Sequence, residues 1–253
     1  MKRTGFIVAM IVFAILFLVS AGVILGNYHK QRQTAAQFQE LEELILTESR
    51  IQDQGVTAAE KYAALYEQNH DFIGWLHIDG TRIQYPVMQS QQQPDFYLTH
   101  SFDRTDSDSG VPYIAGNCEI DTADNLLIYG HNRKDGSMFA DLCRYEQEDF
   151  YQSHKTIQFD TRQGFGEYTI IAVFKSTGSP LEQFRYYEFT QAQSPSDFDQ
   201  YIAECQKKSL YDTGISAAYG DQLITLSTCE YSQIDGRMVV VAKRTAESYI
   251  SVP

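Results

Sequence analysis

Cys229 and Arg237 stand at facing ends of two apolar runs. Leu223-Ile224-Thr225-Leu226 leads into Cys229 and reads as a buried strand, and Met238-Val239-Val240-Val241-Ala242, rich in β-branched residues, follows Arg237 and reads as another. The connection from Glu230 to Gly236 contains Ser, Asp and Gly, so the spacing predicts antiparallel neighbours, with Cys229 closing one strand and Arg237 opening the next. Opposed residues in such a pair lie about 4.5–5.5 Å apart at Cα, which puts a thiol and a permanent cation on one sheet rim. A thiolate is the nucleophilic form of Cys and a nearby cation favours it. Guanidinium N–H groups can also hold an oxyanion developing on an attacked carbonyl. Taken alone, the two residues better fit a small core Cys and an Arg reaching to solvent from a strand end, since a free Cys is usually a core residue.

A third group shifts the balance. Leu126-Leu127-Ile128-Tyr129 is an apolar strand that leaves through Gly130 into His131 and Asn132, which sets an imidazole on a sheet rim and not in a core. Imidazole has a reference pKa of about 6.5 and can serve as general acid and base near neutrality. His29, His70, His77, His100 and His154 lie beside the apolar N-terminus, at a helix end, on an alternating strand or in polar stretches, and are worse placed.

The elements that must position these groups are mostly short strands. Gly74–Ile78 ends at Asp79-Gly80, a hairpin signal, and Ile83–Val87 follows, with Pro86 implying an edge strand or a bulge. Val111–Ala115, Asn125–Tyr129, Thr156–Asp160 and Glu167–Lys175 bring the expected strands to about eight, the pattern of a barrel or sandwich. Met138–Arg144 and Gln147–Tyr151 read as short helical pieces. Ser196–Ser209, with Phe198, Tyr201, Ile202 and Cys205 at helical spacing, reads as a longer helix inside the link to the Cys229 strand. The acid-rich turn Asp103–Gly110 lacks the spacing and terminal Glu of a calcium loop.

Ahead of the strands, Gly5–Gly26 is uncharged, apolar and long enough to cross a hydrocarbon layer of about 30 Å as a helix. Val19-Ser20-Ala21 offers a signal-peptidase site, but the run exceeds a signal segment of about 7–15 residues, so an uncleaved anchor is expected. The short N-terminal end is expected inside. Helical spacing over Thr34–Leu46, a break at Gln54-Gly55, and a capping box from Thr57 to Glu60 opening Thr57–Gln68 predict two helices between anchor and barrel. The expected division is residues 1–28 as transmembrane anchor, 29–70 as helical extension and 71–253 as barrel.

Four of the 20 basic residues and none of the 33 acidic ones precede position 34, so the rest is more acidic than the chain's net −13. That excludes nucleic acid, which needs a basic footprint. The cysteines, Cys118, Cys143, Cys205 and Cys229, form no C-x-x-C pair, and no His pair has ligand spacing, so no metal site is expected. With Cys229 free, the other three read as packed thiols, a single bridge among them being the alternative.

Thr225-Leu226-Ser227-Thr228-Cys229 resembles the Thr-Leu-x-Thr-Cys signature of sortases, the membrane-anchored transpeptidases of Gram-positive cell walls. Tyr129-Gly130-His131 and Arg237 match the same family. Gly130-His131-Asn132 with Ser137-Met138-Phe139, the Gly74-Trp75 and Tyr85-Pro86-Val87 segments, the helical extension and the helix before the Cys strand resemble class B. The resemblance spans about Asn69 to Arg244. It implies a mainly β fold with helices, a closed eight-stranded barrel with His131, Cys229 and Arg237 at one end. It implies attack by Cys229 on the carbonyl after Thr in the C-terminal sorting motif of a secreted protein, Asn-Pro-x-Thr-Asn-like or Pro-x-Thr-Gly-like. The thioacyl enzyme would pass to an amine of a cell-wall precursor or peptidoglycan crossbridge. Leu98, Tyr129, Phe184, Ser227 and Thr228 are the implied substrate-binding residues, and no metal or organic cofactor is required. A cysteine protease passing the acyl group to water, and a membrane-tethered binding domain without chemistry, are the competing readings. Dependence on sulfur and imidazole in opposite protonation states predicts a bell-shaped pH–rate profile.

Overall fold

The structure, a computed structural model, describes residues 2–51 and 56–245. The apolar runs form eight strands: β1 Phe72–His77, β2 Gln84–Met88, β3 Tyr113–Ile114, β4 Asn125–Tyr129, β5 Thr156–Thr161, β6 Glu167–Thr177, β7 Leu223–Cys229 and β8 Gly236–Arg244. They close into a barrel in the order β1-β2-β3-β4-β7-β8-β6-β5, with β5 returning to β1. The β2–β3 and β4–β7 pairs are parallel and the others antiparallel. The β1–β2 connection is the expected hairpin, with Gly80 at φ +72 and the Ile78 N–H donating to Ile83 O at 2.9 Å. A left-handed turn position suits a residue without Cβ.

Pro86 does not mark an edge, because the barrel is closed. β2 pairs with β1 through Trp75↔Pro86, but meets β3 only at Met88↔Tyr113. A strand with a single ladder pair on one side has room for a residue lacking an N–H. The bulge lies in the partner strand, between Phe72 and Gly74.

Alternation along β7 sorts its side chains onto two surfaces. Ile224 and Leu226, with Val240 and Ala242 opposite them on β8, face the barrel interior and are fully buried. Thr225 and Ser227, with Val241 and Val239, face outward and are buried as well, because the long β6–β7 link covers them. Its main element is the helix Pro195–Lys208. Ser194 caps it, its Oγ accepting the Asp197 N–H at 3.2 Å, and Pro195 takes the first helical position, so the helix starts one residue before the expected Ser196. Phe198, Tyr201, Ile202 and Cys205 form its buried stripe.

Thr57 and Glu60 make both halves of the capping box. The expected helix Thr57–Gln68 is split at Tyr62 into Ala58–Lys61 and Ala63–Gln68. The Tyr62 phenol donates to Asp160 Oδ2 at 2.7 Å on β5, while its main chain keeps helical bonds to Ala58 O and from Tyr66 N–H on either side of the split. The piece expected at Met138–Arg144 is a 3₁₀ segment, Ala140–Glu146, followed by a helix at Glu148–Ser153. N-terminal to these, one helix runs unbroken from Lys2 to Ile51 and includes the Thr34–Leu46 segment. It is long and apolar enough near the N-terminus to cross a membrane. Phe6, Phe13, Phe17 and Leu18 stand exposed on it. The expected break at Gln54-Gly55 and the end of the barrel domain beyond Thr245 lie outside the described residues. The chain divides into two compact units, Met1–Leu46 and Thr47–Pro253.

Candidate active site

β4, β7 and β8 are neighbours in the barrel, and their pairing sets the site. Tyr129 is level with Ser227, and Cys229 is directly opposite Arg237. Continuing the β4–β7 register by two residues brings His131 level with Cys229. Cross-strand partners share a face, so thiol and guanidinium form an outward-facing pair, and His131, two residues beyond the end of β4, extends the row. The cover stops at this row: residues 223 to 228 of β7 are buried, whereas Cys229, His131 and Arg237 are partly exposed.

Each member of the row is held. His131 Nε2 lies 2.8 Å from the Leu98 carbonyl. A carbonyl only accepts, so Nε2 carries a proton and Nδ1 is the nitrogen left for proton exchange. Arg237 Nη1 donates to the carbonyls of Asp235 at 3.1 Å and Gly236 at 2.9 Å. Gly178 passes so close that a Cβ there would sit 3.1 Å from Arg237 Nη2. The N–H after the nucleophile, that of Glu230, is already given to Gly236 O at 2.8 Å, which leaves Arg237 as the charged donor beside Cys229.

All four cysteines are free thiols. Burial pushes Cys118 and Cys205 upward in pKa. Burial, reinforced by the Glu230 carboxylate, raises Cys143 to about 11. These three are protonated, poor nucleophiles near neutrality, and Cys229 is the thiol at the open rim.

The other expected site residues divide by depth. Leu98 is 38% exposed and also supplies the carbonyl that holds His131. Tyr129 is half-buried on the row's face, its ring 5.8 Å from that of Tyr113. Ser227 and Thr228 are buried. Ser227 Oγ pairs with the Tyr186 hydroxyl at 2.7 Å, and Thr228 donates to Gly130 O at 2.7 Å. Phe184 packs against Phe174 and Tyr201, with ring centroids at 6.0 and 5.6 Å, and lines a cleft of about 810 Å³ between the start of the β6–β7 link and the Pro195–Lys208 helix. The structure therefore gathers His131, Cys229, Arg237, Tyr129 and the Leu98 carbonyl, and sets Phe184 in the adjoining cleft.

Sequence reasoning missed Tyr113, Tyr186 and Asn132. Burial holds the Tyr113 phenol above its usual range, with Asp95 adding to the effect, and raises Tyr186 to about 12, so both remain neutral hydroxyls beside the row. Only Asn132 carried a signal, as the residue after His131 at the strand exit.

The cleft wall is tied by Lys208 Nζ to Glu182 Oε1 at 3.0 Å. Hydrogen bonding from Lys208 holds the Glu182 carboxyl below its ordinary 4.5. Because the folded value is depressed, this stabilisation is present above 4.5 and is lost as pH falls through the folded value. Lys208→Met is therefore expected to lower thermal stability at pH 7 by at most about 1 kcal/mol and to flatten the acid decline below pH 4.5. Melting curves taken across that range test this.

Residues 76–245 match the family described as the sortase domain. Sortase B of Listeria monocytogenes is 37% identical over 184 residues, 71% of this chain and 72% of that protein. Sortase B of Staphylococcus aureus is 29% identical over 247 residues, 96% of this chain and 97% of that one. Among solved structures, a Staphylococcus aureus sortase B–substrate complex aligns with a TM-score of 0.78 at 28% identity, covering 87% of this chain and 100% of that one. With the Thr-Leu-Ser-Thr-Cys strand, the barrel order and the row already in place, these matches establish that the chain belongs to the sortase family, in class B.

Proposed function

We propose that this chain is a membrane-anchored cysteine transpeptidase. It cleaves a C-terminal sorting motif of secreted proteins after Thr and transfers the new carboxyl end to an amine of a cell-wall precursor or peptidoglycan crossbridge. The observation that carries the reading is the pairing of Cys229 with Arg237 across β7 and β8, with His131 just beyond the end of the neighbouring β4. In the first step Cys229 passes its thiol proton to His131 Nδ1, Sγ bonds to the Thr carbonyl carbon, and the oxyanion is held by Arg237. The C–N bond then breaks, and the proton on His131 Nδ1 goes to the leaving amine. In the second step the acceptor amine gives a proton to Nδ1 and attacks the thioester carbon, and the thiolate leaves. Leu98 and Tyr129 meet the sorting motif directly. Ser227 and Thr228 act from beneath, by holding Tyr186 and Gly130, and Phe184 borders the cleft beside the site.

Residues 1–28 serve as the anchor, 29–70 as a helical extension and 71–253 as the catalytic barrel. The N-terminus is cytoplasmic and the barrel stands outside the membrane. The motif is of the Asn-Pro-x-Thr-Asn or Pro-x-Thr-Gly type. The two motif classes, offered as peptides with and without a glycyl amine, test the assignment. Amine-dependent ligation with Thr at the new bond is the expected product. Cleavage at equal rate without amine would make the protein a hydrolase instead.

A further inference from the structure

We propose that Asn132 is a positioning residue of this reaction: its carboxamide fixes the end of the Cys229 strand against the end of the His131 strand. The inference rests on the transpeptidase reading for what the residue positions, though not for the contact itself. Among the described residues, the last main-chain hydrogen bond between the two strand ends is Gly130 N–H to Ser227 O at 3.2 Å. At the level of the reacting groups the joint is made by side chains. Thr228 Oγ1 donates to Gly130 O at 2.7 Å, and Asn132 Nδ2 donates to Cys229 O at 2.9 Å.

That carbonyl belongs to the nucleophile itself, so the bond holds the stretch of main chain from which Sγ projects. Asn132 is in turn well anchored. It forms an isolated antiparallel bridge with Met138, and its own carbonyl accepts from the Tyr231 hydroxyl at 3.1 Å. The preceding His131 carbonyl accepts from Phe139 N–H at 2.8 Å. His131 is pinned through Nε2 to Leu98 O, and Asn132 ties the sulfur-bearing residue to the same frame.

The polarity of the contact is specific. Nδ2 also lies 3.3 Å from Cys143 Sγ, so the amide faces two acceptors. A carboxylate of the same shape has no hydrogen to give either of them. Asn132→Asp therefore separates donation from volume, and Asn132→Gln keeps the amide on a longer arm.

The test uses the full chain in detergent as parent, Asn132→Ala, Asn132→Asp and Asn132→Gln. Two quantities are read: kcat and KM for peptide transfer to a glycyl amine, and the pH dependence of Cys229 alkylation by iodoacetamide, resolved from Cys143 by peptide mass spectrometry. Misplacing the reacting groups by an ångström costs on the order of 10²-fold. The expected result is a fall in kcat of about 10- to 100-fold for Ala and Asp, with KM changed by less than about threefold, a displaced alkylation curve, and partial recovery in Gln. An Asp variant as active as the parent would overturn the proposal. So would an alkylation curve unmoved in Ala and Asp, whether kcat holds or falls, since the residue then serves only the fold. Alkylation needs no sorting peptide. A parent that alkylates normally yet never ligates would therefore sink the transpeptidase reading while leaving Asn132 decided by the curve.

Discussion

Cys229→Ala is expected to form no peptide adduct and to ligate at background rate, and His131→Gln to retain the fold while losing about 10²–10⁴-fold in kcat/KM. The first loss is complete because no other thiol can substitute. Cys118 and Cys205 are buried and raised in pKa, and Cys143 is held protonated by burial and the neighbouring Glu230. The second is partial because Arg237 still faces Cys229 across β7 and β8 and can hold an oxyanion. Arg237→Lys is expected to be the mildest of the three, a loss of about 10²–10³-fold. A point charge cannot both grip the Asp235 and Gly236 carbonyls and present a second N–H to substrate. Intact-mass detection of the thioacyl adduct, with ligation rates for the three variants, checks this order. An adduct on Cys229→Ala would remove Cys229 as the nucleophile.

The largest stability effect is expected at Asn125, at the start of β4 and fully buried. Its Oδ1 accepts from Thr225 Oγ1 at 2.8 Å on β7, and its Nδ2 donates to Phe189 O at 2.8 Å in the β6–β7 link. Tyr201 OH lies 3.3 Å from Thr225 Oγ1, so strands and covering helix share one network. Asn125→Leu keeps the branched shape, strands the Phe189 carbonyl and takes from the Thr225 hydroxyl its shorter partner, leaving it the 3.3 Å contact with Tyr201. Each buried orphan costs about 1–3 kcal/mol, and a loss of about 2–4 kcal/mol overall lowers Tm by roughly 5–15 °C in a domain of this size. Adding Thr225→Val removes that weakened hydroxyl along with its partner, so the double variant is expected to lose less than the two singles together. Calorimetry of the three proteins is the check, and strict additivity would dissolve the network.

All eight strands were legible in the sequence because each carries its own apolar run and turn punctuation, and β4 falls at Asn125–Tyr129 as expected. The row was legible for a related reason: two of its members sit where an apolar run stops, and chemistry at a sheet rim needs a strand end. What stayed hidden depends on partners far off in the chain. The Tyr62 phenol finds a carboxylate 98 residues away, and Pro86 is tolerated because β2 and β3 share a single pair. Leu98 was expected as a groove side chain. Its grip on His131 comes through a carbonyl, a group every residue has and no pattern can flag. Asn132 looked like an ordinary loop polar because its acceptor, Cys229 O, lies 97 residues on.

β8 fills the slot between β7 and β6 and is the final strand of the barrel in chain order. During vectorial synthesis the sulfur of Cys229 therefore emerges before its guanidinium partner, and the flanks of β6 and β7 stay unpaired until the closing strand arrives. The Cys229–Arg237 pairing thus forms only once β8 has been made. A chain cut short before Gly236 would present two raw sheet margins and aggregate, instead of surviving as a feeble catalyst.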